Sequence, residues 1–242
     1  MNSNSRTARF SIALALAGVG TCALGPLLAQ SSVVSPMVGF IVFVVGLLDC
    51  LMALLLGAVG IWKTRSATGR GGRSLAAAGM LLSAIPLAIA VAAAGSGGDV
   101  PRINDITTDP SDPPVFRAAQ ADEANTGRDL AYPGTEFAEA QRAAYSDLEP
   151  LRIGGTRGEV FGRCVEAAEG LGWQLTQQDE KNGTFEAIDV SSAFRFVDDI
   201  VVRVRSAHGD VIVDIRSKSR DGKSDLGVNA ARIRAFRNAL TN

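Results

Sequence analysis

The sequence predicts an α+β protein: three N-terminal transmembrane helices, then a mostly antiparallel sheet of about four strands with helices packed on one face. Three observations predict it. Three apolar blocks of bilayer-crossing length lie before residue 95. Two hairpin signals further on join runs of alternating apolar and polar residues. Segments with helical periodicity stand before and after those runs. The expected divisions are residues 1–94 for the membrane region, 95–134 for an irregular Pro/Asp-rich segment, and 135–242 for an extracytoplasmic α+β domain.

The first block, Phe10–Ala29, has 20 uncharged residues; the second, Val38–Trp62, has 25 residues and one charge, Asp49; the third, Leu75–Ala94, has 20 uncharged residues. About 20 apolar residues in a helix cross a bilayer core, and only helices or closed barrels satisfy their backbone there. Small residues four apart (Gly18/Cys22, Ala53/Gly57, Gly79/Ser83) suit close helix packing, and Pro86 is a candidate kink.

Charge sets the orientation. Arg6 and Arg9 precede the first block, and Lys63, Arg65, Arg70 and Arg73 fill the loop before the third. The positive-inside rule places both in the cytoplasm and the chain after residue 95 outside it. A basic start also suits a cleaved signal peptide. Leu27-Leu28-Ala29 is a poor cleavage site, however, and Val19-Gly20-Thr21-Cys22 a poor lipobox, so a retained helix is expected. Arg outnumbers Lys 20 to 4, which fits a GC-rich bacterial genome. The expected location is a bacterial inner membrane, with a cytoplasmic N-terminus and a periplasmic C-terminal domain.

The 24 basic and 25 acidic groups nearly cancel, but residues 1–94 hold six of the basic groups and one acid. Residues 95–242 are therefore acidic. The arithmetic excludes a purely soluble chain, a collagen-like chain, a disulfide scaffold and a basic nucleic-acid binder. Expected partners are membrane lipids, with an anionic ligand or an envelope protein, and no nucleic acid.

Asp49, near the middle of the second block, is the membrane-embedded polar residue. A charge there costs about 2.5–3.5 kcal/mol. It marks either a proton or substrate path, or a protonated carboxyl bonded to Ser83 or Thr21 as helix glue.

Beyond the membrane, Gly95-Ser96-Gly97-Gly98 reads as a flexible linker. Residues 99–134, with Pro101, Pro110, Pro113, Pro114 and Pro133, read as irregular chain across the domain surface. Thr135 is the expected cap of a helix over Glu136–Tyr145. A second helix follows over Arg157–Gly170, with Val160, Phe161, Cys164, Val165, Ala168 and Leu171 on its buried face. Lys181-Asn182-Gly183 joins the strands Trp173–Asp179 and Thr184–Val190. Ala207-His208-Gly209 joins Phe194–Arg205 to Asp210–Ser217. Arg203, Arg205, Asp214 and Arg216 occupy one parity, so one sheet face is wet or site-forming. Asp198 shares the apolar parity, and a bulge that re-aims it is the preferred reading. A last helix is expected over Asp225–Leu240 with Ser224 as N-cap, its buried stripe being Leu226, Ala230, Ile233, Phe236 and Leu240.

Chemical signals are sparse. Cys164 reads as a core residue, and a dyad with His208 has no support in the pattern. The chain lacks a zinc-ligand set, a nucleophile elbow, a phosphate loop and a dinucleotide fingerprint. No cofactor is expected. Asp105, Asp109, Asp112 and the pair Asp198-Asp199 read as a solvated acidic surface, with cation binding as the alternative. The densest polar stretch, Arg216–Asp225, joins the last strand to the last helix. Arg216, Ser219, Arg220, Ser224, Asn229 and Arg232 are the candidate ligand-binding residues, because guanidiniums and hydroxyls at a helix start form an anion rim. The competing reading is a capped turn held by Arg–Asp pairs.

Four stretches carry a family resemblance. They are Ile103-Asn104-Asp105-Ile106-Thr107-Thr108-Asp109 before Pro113-Pro114, Tyr145-Ser146-Asp147-Leu148 before Pro150-Leu151, Phe196-Val197-Asp198-Asp199-Ile200, and Arg216 to Gly227 through Asn229-Ala230-Ala231-Arg232-Ile233. Together they resemble the domain-of-unknown-function 1499 family over about residues 100–240. The resemblance implies a bacterial envelope or organellar protein and transfers no activity to individual residues.

The functional expectation is a non-enzymatic binding or scaffold module for an anionic ligand, a lipid headgroup or an envelope partner. The alternatives are an envelope hydrolase or transferase using Asp105, Asp109, Asp198 or Asp199, and a transport accessory subunit using Asp49.

Overall fold

The computed structural model describes residues 5–65, 71–95, 100–207 and 209–241; Arg70, the linker residues 96–98 and His208 lie outside them. The chain divides into two units, Met1–Ser96 with Ser192–Arg195, and Gly97–Ser191 with Phe196–Asn242.

The first unit is built on α1 (Arg6–Gln30), α2 (Pro36–Lys63) and α3 (Arg73–Gly95). All three are long and apolar enough to cross a membrane. Ser35 starts α2 by accepting from the Val38 N–H, and Pro36 sits in the first turn, where its missing N–H is not needed. The helices meet through small residues. A Cβ added at Gly18 would lie 2.8 Å from Cys50 Sγ, and one at Gly46 would lie 2.7 Å from Cys22 Sγ. Ala8, Ala15, Ala53 and Ala76 are buried, whereas Leu16, Leu27, Leu81, Ile89 and Val91 are exposed. Small residues inside and large apolar residues outside is the arrangement lipid favours. Ser83 Oγ donates to Gly79 O in its own helix, not to half-buried Asp49.

The second unit is an α+β sandwich. Its elements are β1 (Asp105–Thr107), α4 (Ala118–Ala121), α5 (Thr135–Ala144), β2 (Leu151–Ile153), α6 (Arg157–Gly170), β3 (Gln174–Asp179), β4 (Thr184–Val190), β5 (Val197–Ala207), β6 (Asp210–Ser219) and α7 (Val228–Thr241). All pairings are antiparallel, in the order β1-β6-β5-β4-β3, with β2 also on β6. The sheet thus has six strands rather than about four. The additional two span three residues each, too short to show alternation. They become strands because the long β6 offers Arg216–Lys218 to β1 and Val211–Val213 to β2.

Thr156 and Glu159 form a reciprocal capping box that starts α6. Val160, Phe161, Cys164 and Ala168 turn inward from it, as the periodicity predicts. Gly183, at φ +71°, closes the β3–β4 turn where any Cβ would strike Val204 O. The core fills one sheet face. Phe185, Ile200, Val202, Val213 and Ile215 meet Val160, Ile233 and Phe236, and Trp173 stacks on Phe236 at 4.9 Å.

Three local expectations are corrected. Thr135 is the first helical residue, preceded by Gly134, and is not a cap. The last helix starts at Val228, because Asp225 Oδ1 and Oδ2 accept from the Gly227 and Asn229 N–H groups; Ser224 only meets Leu226 N at 3.5 Å. The register of β5 with β4 and β6 runs unbroken through Asp198, so no bulge re-aims it. The irregularity lies instead in β3, between Leu175 and Gln177.

Candidate functional site

Within the family-like stretch, Arg216–Ser219 is the end of β6, so its side chains alternate between the two sheet faces. Arg216 and Lys218 point away from α6 and α7. Arg216 is buried, with Nε and Nη2 each 2.8 Å from an Asp105 oxygen in a bidentate fork. Its remaining donors reach Pro114 O at 3.1 Å and Leu130 O at 2.8 Å, and its guanidinium lies over the Phe116 and Tyr132 rings. Lys218 Nζ adds a 2.8 Å contact to Asp105. Burial beside Asp105 pushes the Tyr132 hydroxyl up to about 12.

The same face carries two further clusters. Arg203 and Arg205 grip fully buried Asp214 and reach Asp109, and Arg203 also pairs with Asp112. Arg220 and Arg128 share Asp199. Burial works against the Arg220 charge, yet the Asp199 and Asp122 carboxylates outweigh it and raise its pKa. Glu186 accepts from the backbone N–H groups of Arg117, Ala118 and Ala119. The face expected to be wet or site-forming is therefore covered by the Pro/Asp-rich segment. Asp105, Asp198 and Asp199, expected on a solvated acidic surface, are at most 7% exposed.

The odd residues face α7. Ser217 Oγ donates to Asn229 Oδ1 at 2.6 Å, and Asn229 Nδ2 donates to Ser219 Oγ at 3.0 Å. Arg232 bonds Ser217 Oγ, Asn229 Oδ1, Asp189 and Asp198. Asp198 is thus a buried acid with a partner. The six candidate residues fall into separate places: Ser219, Asn229 and Arg232 at the α7 side, Arg216 on the opposite face, Arg220 past the strand end, and Ser224 in the following loop.

A different basic place lies on the outer side of α7. Arg234 forks onto Asp147 with two contacts of 2.7 Å and lies 5.4 Å from the Tyr145 ring. The hydrogen bonds from Arg234 hold the Asp147 carboxyl below the usual range. Arg237 Nη1 donates to the backbone oxygen of Asp147. With Leu151, Asn238 and Thr241 these residues line a cleft of about 330 Å³. Sequence reading missed it because its parts come from a loop and a distant helix. The one available signal was Arg234 and Arg237 at i,i+3 off the buried stripe.

Cys164 is fully buried, and desolvation pushes its thiol up to about 12, so it is a core residue rather than a nucleophile. Among the described residues no cluster of three His, Cys, Asp or Glu side chains is placed to hold a metal.

A family model described as a protein of unknown function (DUF1499) matches residues 105–240. The chain belongs to the DUF1499 family. The match begins at β1 and ends within α7, so the DUF1499 region covers nearly the whole sheet unit and none of the three long apolar helices. No curated protein matches the chain.

Proposed function

We propose that this DUF1499 protein is an inner-membrane protein whose C-terminal domain lies in the periplasm and works as a non-enzymatic binding or scaffold module. One observation carries the reading: the polar side chains of the family stretch bond mainly to one another and to the backbone across the layers. Arg216, Arg220 and Arg232 each hold buried carboxylates, and Asn229 joins β6 to α7. Such groups fix a shape. The acids of the hydrolase alternative, Asp105, Asp109, Asp198 and Asp199, all sit beside guanidiniums.

The topology rests on Arg6, Arg9, Lys63, Arg65, Arg70 and Arg73 flanking the helices. The three cysteines are buried, so a single cysteine introduced at exposed Ser111 gives a clean probe. An impermeant maleimide should label Ser111→Cys in intact spheroplasts; labelling only after lysis refutes the periplasmic placement. For the module itself, Asp198→Asn in the full chain should lower the melting temperature. An unchanged melting temperature with loss of a cellular phenotype supports the hydrolase alternative.

A further inference from the structure

We propose that the cleft between α7 and the Asp147–Leu151 stretch is a binding site for a phosphate group. It gives the binding module a ligand class, and it rests on that reading only for its biological sense; the site stands on its own geometry.

Two guanidiniums converge here on Asp147, Arg234 on its carboxylate and Arg237 on its backbone oxygen. Asp147 is taken by Arg234 through Nε and Nη2, which fixes that cation and leaves its Nη1 without a partner among the described residues. Arg237 receives only the Asp147 backbone oxygen and has no carboxylate within ion-pair distance among the described residues. Among the described side chains that line the cleft, two guanidiniums therefore face one carboxylate, Asp147. Arg237 Nε is moreover buried, with no hydrogen-bond partner among the described residues. A buried donor left unmade is costly, so the Arg237 guanidinium is not fully satisfied where it stands.

Forked N–H donors suit tetrahedral oxyanions better than a point charge does. The rim adds the exposed Asn238 amide as a donor; the Thr241 hydroxyl proton is directed to its own helix and is not available to an anion. Leu151 supplies an apolar wall. A volume of about 330 Å³ exceeds a bare phosphate and has room for the group esterified to it. Both inorganic phosphate and the phosphodiester of an anionic lipid offer this chemistry.

The test uses full-length protein in nanodiscs. Inorganic phosphate is titrated calorimetrically in phosphatidylcholine discs, and native mass spectrometry follows retention of phosphatidylglycerol from mixed discs. Arg237→Gln should weaken whichever binding occurs about tenfold, the scale of one charge-assisted hydrogen bond. Asn238→Asp, an exposed change that adds a negative charge to the rim, should weaken it too while leaving the melting temperature unchanged. Phosphate binding alone assigns a soluble ligand, and phosphatidylglycerol retention assigns a lipid headgroup. Absence of both, or equal binding by wild type and both variants, overturns the site. The cysteine-labelling result is independent of these outcomes, so failure of the site and failure of the periplasmic reading are told apart.

Discussion

The two faces of the sheet are buried to a similar degree by opposite chemistry. On one, Phe185, Ile200, Val202 and Ile215 meet apolar stripes of α6 and α7. On the other, Asp214, Arg216, Lys218, Asp199 and Glu186 meet the Pro/Asp-rich segment. The covering layers explain the difference. A helix satisfies its own backbone and needs only apolar surface from the sheet. The covering segment is mostly loop, with β1 and the four-residue α4, and its loop and helix-start N–H and C=O groups must find partners. The sheet supplies them: Arg216 reaches Pro114 O and Leu130 O, Arg203 reaches Asp112 O, and Glu186 takes three successive N–H groups.

The contrast is broken most severely at its ionic centre. Asp105→Asn leaves Arg216 buried beside Lys218 without a countercharge and should cost about 3–5 kcal/mol of stability, measured by urea unfolding of the full chain in micelles. Replacing both Asp105 and Arg216 by apolar residues of similar size should recover much of that loss. If the double variant is as unstable as the single, the face depends on Arg216's backbone contacts more than on its charge. On the helix face, Phe236→Ala should cost about 3–5 kcal/mol as well, by cavity formation, and no charge change elsewhere should restore it.

Smaller effects sharpen the comparison. Ser217→Ala removes the hydroxyl that links Asn229 to Arg232, and should cost about 1–3 kcal/mol with α7 loosened first, as seen by hydrogen exchange. Thr156→Ala should cost about 1 kcal/mol by removing the α6 cap, and should leave the covering segment's exchange unchanged. Last comes pH. Asp147 has its carboxyl pKa depressed in the fold by Arg234, so its contribution is complete above the unfolded value and fades as pH falls below about 4. The melting temperature of Asp147→Asn should therefore fall less between pH 5 and pH 3 than that of wild type.

Much of this was legible in the residues. The three long apolar helices follow from block length, and α6 from its apolar spacing. The β3–β4 hairpin follows from Asn182-Gly183, since a positive φ is needed there. Asp198 shows where reading stopped. Its parity with Ile200 and Val202 points to the apolar face, but a bulge is the preferred reading from sequence because its partner Arg232 lies 34 residues away on a helix whose start the sequence misplaces. Helix α7 was set three residues too early because Ser224 and Asp225 are both good caps, and only the backbone path through Leu226 and Gly227, at φ 54° and 85°, selects Asp225.

By itself the sequence determined what local periodicity and composition control: which blocks suit lipid, which segments are helix or strand, and which side chains share a face. The tertiary structure decided the pairings of charge. Arg216 finds Asp105 across 111 residues, and Arg234 finds Asp147 across 87. An arginine in a sequence looks the same whether it awaits a ligand or holds a carboxylate. The choice depends on which distant segment the fold lays over it, and that is fixed only when the sheet, its helices and its irregular cover pack together.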